Sequence, residues 1–168
     1  MLEYNQDGGV GMYNTTLCYI ERDGAYLMLH RVKKENDINR DKWVGIGGKF
    51  EVGESPHECA AREISEETGL TPTKLDYRGI VTFYPVEAPE NYEIMHLFTC
   101  TEYTGRLRND CNEGVLEFYP KSKLHELLMW EGDAIFLRLL DTEPRFFSLK
   151  LVYDHGRLVS HKIEYCGM

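Results

Sequence analysis

Basic residues are the minority charge in this chain of 168 residues: 19 Lys and Arg stand against 28 Asp and Glu, for a net charge of −9. General nucleic-acid binding needs a basic face, so polymeric nucleic acid is not an expected partner. No apolar run reaches the roughly 18 residues of a transmembrane helix. The N-terminus has neither a basic n-region nor an apolar h-region. Neither a membrane span nor a secretory signal is therefore expected. Five cysteines, Cys18, Cys59, Cys100, Cys111 and Cys166, are odd in number and form no Cys-x-x-Cys pair. This speaks against a zinc site and a disulfide framework, and for a reducing cytoplasm. Repeats, low-complexity tracts and linkers are missing too. The expected organisation is a polar, Gly-rich leader over 1–11 and a single domain over 12–168, as a monomer or homodimer.

What is present is ordinary globular material, with 42% hydrophobic and 28% charged residues. Strands are expected at Thr15–Glu21 and Ala25–Arg31, joined by an Asp23-Gly24 turn, which is a strong hairpin signal. A charged loop follows over Lys33–Lys42. Further strands are expected at Arg78–Tyr84, Tyr92–Tyr103 and Val115–Tyr119. Pro120 opens a short helix over Lys121–Leu128, and Asp133–Leu140 reads as another. A closing hairpin joins Phe146–Tyr153 to Leu158–Ile163 over His155-Gly156. These elements suit an α/β/α sandwich with a mixed β-sheet. The six histidines are scattered without metal spacing.

Residues 48–70 carry the chemistry. Ser55, Pro56 and Glu58 form a capping box with a proline start, and Gly69 stands where a left-handed C-terminal residue is wanted. In the helix between them, Ala61, Ile64 and Thr68 are expected to form a narrow buried stripe, with Glu63, Glu66 and Glu67 centred roughly opposite. Three carboxylates crowded on one helix repel unless a cation neutralises them. Oxygen donors of this kind suit Mg²⁺, Mn²⁺ or Ca²⁺. Gly45, Gly47 and Gly48 just before the helix let the backbone approach a ligand closely. The loop can offer N–H groups to a phosphate or a carbonyl to a metal. An acidic helix face alone is usually just a solvated surface.

The whole pattern goes further. Gly48, Glu54, Arg62-Glu63-Ile64, Glu66-Glu67 and Gly69-Leu70, at their spacing, resemble the signature of the Nudix hydrolases. The motif spans 23 of 168 residues and recurs by chance on the order of once in 10⁸ to 10⁹ positions. The resemblance implies metal binding by Glu63, Glu66, Glu67 and the Gly48 carbonyl, with Mg²⁺ as cofactor and Mn²⁺ able to substitute. It gives Arg62 and Glu54 supporting catalytic roles. It implies water attack on a nucleoside diphosphate linked to another group.

Trp43-Val44-Gly45-Ile46-Gly47-Gly48-Lys49 is similar to the MutT-type branch, which acts on oxidised purine nucleoside triphosphates. Asn112-Glu113-Gly114, Met129-Trp130 and the C-terminal hairpin extend that likeness to the eukaryotic homologues. It makes Trp130 a base-stacking platform and Asp133 a reader of the base edge. Glu113 joins the metals or polarises water. The asparagine that follows the loop tryptophan in those homologues is Val44 here, and the first of their paired carboxylates is Gly132. Arg31, Lys33, Lys49 and the Gly47 backbone are the expected phosphate contacts. The expected activity is release of monophosphate and pyrophosphate from a triphosphate such as 8-oxo-dGTP. The alternatives are another nucleoside diphosphate derivative, such as a pyrimidine triphosphate, dihydroneopterin triphosphate or a nucleotide sugar, or a non-catalytic nucleotide sensor.

Overall fold

The computed structural model describes residues 12–167; the leader expected over 1–11 lies outside them. Eight strands form one sheet. They are β1 (Tyr13–Arg22), β2 (Ala25–His30), β3 (Trp43–Val44), β4 (Leu70–Pro85), β5 (Glu93–Gly105), β6 (Val115–Pro120), β7 (Phe146–Asp154) and β8 (Arg157–Cys166). The order is β3-β2-β1-β5-β4-β7-β8, with β6 on the other side of β2. Strands β1 and β5 pair in parallel, as do β4 and β7, and the remaining pairs are antiparallel. The sheet is thus mixed, as expected.

Helix α1 (Pro56–Thr68) covers one face and α2 (Asp133–Thr142) the other. Strand β1 shows why both faces are dry. Leu17 and Tyr19 enter the core that holds Phe136, Leu137, Leu139 and Leu140 of α2, whereas Cys18 and Ile20 enter the core that holds Ala60 and Ile64 of α1. Successive strand residues point to opposite faces, so a strand in mid-sheet reads as a continuous apolar run. Phe136 is fully buried against Tyr19, with ring centroids 6.2 Å apart. Burying a side chain of this size contributes about 1.5–3 kcal/mol.

The first hairpin turns where expected, with Asp23 and Gly24 at φ 50° and 73°, the paired positive values that a two-residue type I′ turn requires. The closing hairpin turns at His155-Gly156 in the same way. Several bounds differ from expectation. Strand β4 starts at Leu70, because its polar first half is held by pairing with β5, through register shifts around Pro72–Lys74, rather than by apolar alternation. The short helix after Pro120 is of the 3₁₀ type and ends at Glu126, two residues before the expected Leu128. Helix α2 runs on to Thr142. Within α1 the buried residues are Cys59, Ala60, Ile64 and Thr68, with Ala61 only partly covered.

Candidate active site

The site is built where the 45–55 loop crosses β1 and enters α1. Cys18 and Ile46 exchange backbone hydrogen bonds of 2.6 and 2.9 Å, and the Thr16 N–H donates to the Gly48 carbonyl at 2.9 Å. The approach is so close that a Cβ on Gly47 would lie 1.9 Å from the Thr16 carbonyl oxygen. A Cβ on Gly48 would lie 2.4 Å from Glu63 Oε1. The loop therefore passes side by side with the acidic helix because those two positions have no side chain.

Helix α1 begins as its sequence dictates. The Ser55 hydroxyl accepts from the Glu58 N–H at 3.3 Å, and the Ser55 N–H donates to Glu58 Oε2 at 2.8 Å. The Gly69 N–H closes the far end on the Ser65 carbonyl at 3.0 Å. The carboxylates do not sit opposite the buried stripe, however. Around the helix, Glu63 and Glu67 fall between Cys59 and Ala60, inside the buried arc. They face the glycine loop, while Glu66 alone points outward.

Arg62 organises this acidic ground. Its Nε and Nη2 hold the two Glu54 oxygens at 2.6 and 3.0 Å. Its Nη1 donates to Glu63 Oε1 at 2.9 Å and to Glu66 Oε2 at 3.1 Å. Nη2 also reaches the Lys49 carbonyl at 3.0 Å. These charge-assisted bonds, with the Glu51 N–H, hold the Glu54 carboxyl down at about 2. Burial pushes Glu63 upward. Burial, then the nearby Glu113 and Glu63, push Glu67 well above the usual carboxylate range, while Arg31 and the Gly47 N–H pull it back. Glu67 Oε2 is closed off from solvent and has no hydrogen-bond partner.

These groups border a cleft of about 360 Å³, together with Thr15, Arg31, Lys34 and Lys49. Glu113, from the loop before β6, reaches the same cleft. Arg31 Nη1 donates to Glu113 Oε2, and Lys34 Nζ donates to Glu113 Oε1 at 2.9 Å. A cluster of partly buried carboxylates, one oxygen without a partner, and a glycine where a Cβ would strike Glu63 together suit a hard divalent cation. Glu63, Glu67 and Glu113, with the second lone pair of the Gly48 carbonyl, would hold it, whereas Glu66, expected as a further ligand, is exposed and does not line the cleft. Among the described residues, Glu87, Asp154 and His155 are the one group of three whose ligand atoms lie within 4.8 Å of one another. All three are exposed: Asp154 and His155 lie at the turn of the closing hairpin and Glu87 just past the end of β4. The carboxylates of the cleft are spread more widely, with Glu63 drawn toward Arg62 and Glu113 toward Arg31 and Lys34.

The remaining sequence candidates divide. Arg31 is 3% exposed; its Nε holds Asp37 at 2.6 Å, so much of its guanidinium is committed within the protein. Lys33 turns away and donates to the Cys111 carbonyl at 2.5 Å. Its neighbour Lys34, not singled out in the sequence, lines the cleft instead. Lys49 lines it too, with Nζ 4.9 Å from the Tyr13 ring centroid. Trp43 is a packing residue, stacked on His30 at 4.4 Å. Trp130 and Asp133 do meet, around a small cavity they share with Asn39, Val44, Phe83 and Met95. Lys42 Nζ stands 4.3 Å over the Trp130 ring. Burial pushes the Asp133 carboxyl up to about 7. Gly132 has no room for a side chain, since a Cβ there would lie 2.5 Å from Leu151 Cδ1 and 2.7 Å from the Tyr153 hydroxyl. Lys34 and Asn39 escaped notice because the 33–42 segment reads only as a charged loop.

Comparison with known proteins agrees with this geometry. The NUDIX domain family matches residues 13–140. The chain is 28% identical over 149 residues, 89% of its length and 92% of the relative's, to a protein of Danio rerio named oxidized purine nucleoside triphosphate hydrolase. It is 29% identical over 128 residues, 75% of its length and 77% of the relative's, to an uncharacterized Nudix hydrolase of Bacillus subtilis. The solved structure of a mutator MutT protein from Bacillus halodurans superposes with a TM-score of 0.82 at 27% identity, covering 91% of this chain and 98% of that one. An acidic helix gripped by Arg62, a glycine loop laid against it and a matching domain over most of the length lead to one assignment: the chain belongs to the Nudix family, as a MutT-type hydrolase.

Proposed function

We propose that this protein is a Mg²⁺-dependent pyrophosphohydrolase that cleaves oxidised purine nucleoside triphosphates, such as 8-oxo-dGTP, to monophosphate and pyrophosphate. The observation that carries the reading is the cleft itself. Glu63, Glu67 and Glu113 line it together with Lys34, Lys49 and the Gly47–Gly48 backbone, and Glu67 keeps a buried oxygen without a partner. Bound Mg²⁺ would neutralise phosphate charge and lower the pKa of the attacking water. Arg62 and Glu54 set the directions of the carboxylates. Lys34 and Lys49 contact phosphate oxygens, with Arg31 lending positive charge behind Glu113, while the Gly47 N–H is taken up by Glu67. Glu66, Glu67 and Glu113 are the candidate bases for that water. Trp130 stacks on the base and Asp133 reads its edge. The similarity to the Danio rerio protein, named for oxidised purine triphosphates, supports the choice of base. Removal of such nucleotides protects DNA synthesis from mispairing, a role in nucleotide sanitisation. The five cysteines are free thiols, which suits a reducing compartment such as the cytoplasm.

A second reading, another nucleoside diphosphate derivative, is favoured by one observation. The Tyr153 hydroxyl occupies the space beside Gly132 and accepts its N–H at 2.8 Å. The slot therefore offers one carboxylate where the homologues have two. The deciding experiment is kcat/KM with Mg²⁺ for 8-oxo-dGTP, dGTP, dCTP and ADP-ribose in parallel, with pyrophosphate detected apart from phosphate. A tenfold or greater preference for 8-oxo-dGTP with pyrophosphate released supports the proposal. Faster turnover of dCTP or ADP-ribose replaces it with the second reading.

A further inference from the structure

Arg31 stands just past the end of β2, and its guanidinium serves two carboxylates at once. Nη1 donates to Glu113 Oε2 at the cleft, and Nε donates to Asp37 Oδ2 at 2.6 Å. Asp37 does not line the cleft itself, and its side chain is 2% exposed. Its other oxygen, Oδ1, accepts the Asn39 N–H at 2.9 Å. Both oxygens of this carboxylate are thus taken, as burial of a charge requires.

The loop that carries Asp37 folds back on its own beginning. The Arg31 N–H donates to the Lys42 carbonyl at 3.0 Å, the Asp41 N–H to the Arg31 carbonyl at 2.8 Å, and the Arg40 N–H to the Asp37 carbonyl at 2.9 Å. Asp37 is therefore fixed by its backbone as well as by Arg31. Glu113 is held differently. It lies in the irregular segment before β6, outside the strand ladder, and its carboxylate is gripped by Arg31 and Lys34. The Lys34 side chain is half-exposed, so the buried Arg31 is the firmer partner. A guanidinium is planar, with its donors in fixed directions. Holding Nε therefore sets where Nη1 points.

We propose that Asp37 is a positioning residue for the metal cleft. It anchors the Arg31 guanidinium by Nε, so that Nη1 keeps Glu113 in place as a ligand and the guanidinium does not swing toward Glu67, which lines the same cleft. Without that anchor a buried cation is left with half of its pairing. It then competes for the carboxylates that a divalent cation needs. The inference rests on the reading that the cleft takes a divalent cation, but not on which nucleotide is cleaved.

Binding of Mn²⁺ to the nucleotide-free protein, followed by electron paramagnetic resonance of the free ion, tests it. Only binding that is lost in Glu67→Gln is counted as binding in the cleft. Asp37→Asn keeps the size of the side chain but offers one oxygen to two donors, the Arg31 Nε–H and the Asn39 N–H. It is expected to weaken Mn²⁺ binding by roughly tenfold or more, the usual size for a group that orients a metal ligand. In an Arg31→Met background the same change is expected to cost less than about twofold, because two residues that act through one link are not additive. A loss that persists without Arg31 overturns the proposal, since Asp37 would then act through the loop or on the ion directly. Unchanged Mn²⁺ binding in Asp37→Asn also overturns it. Should that variant not fold, Arg31→Lys carries the test: it keeps the charge but cannot serve two carboxylates from one point. A comparable loss of affinity is expected there, and wild-type affinity overturns the proposal. A wild-type protein that binds no Mn²⁺ in the cleft sinks the metal reading and this inference together. Wild-type binding that Asp37→Asn leaves intact sinks this inference alone.

Discussion

Gly48 and Glu63 are shaped to each other: a Cβ on the glycine would lie 2.4 Å from Glu63 Oε1 and 2.6 Å from its carboxyl carbon. Gly48→Ala therefore has to push the carboxylate aside or lift the loop from the helix. A displacement of about 1 Å at a reacting centre costs on the order of 10²-fold in rate. We expect kcat of Gly48→Ala to fall by about that factor, with an unchanged far-ultraviolet circular dichroism spectrum. Near-wild-type kcat would show that Glu63 can retreat without harm, and would remove it from the metal ligands.

Arg62 meets Glu54 through two nitrogens and reaches Glu63 and Glu66 through the third. Lysine carries its charge at one point and cannot reproduce that fork. Groups that orient metal ligands are typically worth 10–100-fold in metal affinity. Arg62→Lys is expected to raise the Mg²⁺ concentration for half-maximal activity by about that factor, read from a metal titration at fixed substrate. The same contacts keep Glu54 ionised, so acid disrupts this pair only as pH falls through about 2. An unchanged metal requirement would reduce the Arg62 network to a surface ion cluster.

Glu67 and Glu66 are adjacent in sequence but differ in setting. Glu67 holds an oxygen that is buried and unpaired, whereas Glu66 is exposed. Ionised Glu67 is costly in the fold because burial and two neighbouring carboxylates oppose its charge. Glu67→Gln keeps the shape and removes the charge. Without added metal we expect its Tm to rise by roughly 2–4 °C, the equivalent of about 1 kcal/mol in a chain of this size. Its kcat is expected to fall by about 10²-fold or more. Glu66→Gln should lower kcat with no change in Tm. A Glu67→Gln variant that melts lower would mean that its carboxylate is a structural group.

The acidic helix was legible because its signals are local. A cap, a proline, a glycine and three glutamates occur within one short stretch, and each is stabilised by its neighbours in the chain. The hairpin turns were legible for the same reason. What escaped depends on contacts between distant residues. The first half of β4 is polar and has no alternation; β5 makes it a strand. Glu63 and Glu67 looked exposed because helix periodicity cannot reveal that a glycine loop will lie over them. Lys33 was chosen in place of Lys34, since in an irregular segment only the fold decides which ammonium reaches the cleft. Asn39 carried no signal at all until the Trp130 indole, 91 residues away in sequence, fixed its amide.

Asp133 connects the base slot to pH. Burial lifts its carboxyl from an ordinary 3.8 to about 7, so the folded protein holds a proton that the unfolded chain releases at lower pH. The sign follows from linkage. The stability contributed by this group is fully present below about pH 3.8 and is lost as pH rises through about 7. Asp133 is 4% exposed, so screening by solvent is slight. Between pH 5 and pH 8 the loss amounts to about 2–3 kcal/mol, as an order of magnitude. Asp133→Asn keeps the size of the side chain and has no proton to release. Urea unfolding of both proteins at pH 5 and pH 8 isolates the effect, because every other titrating group is shared. The stability of the wild-type protein relative to the variant is expected to fall by about that amount across the interval. Parallel pH profiles would mean that water reaches this carboxyl, and that the slot between Trp130 and Phe83 is wet.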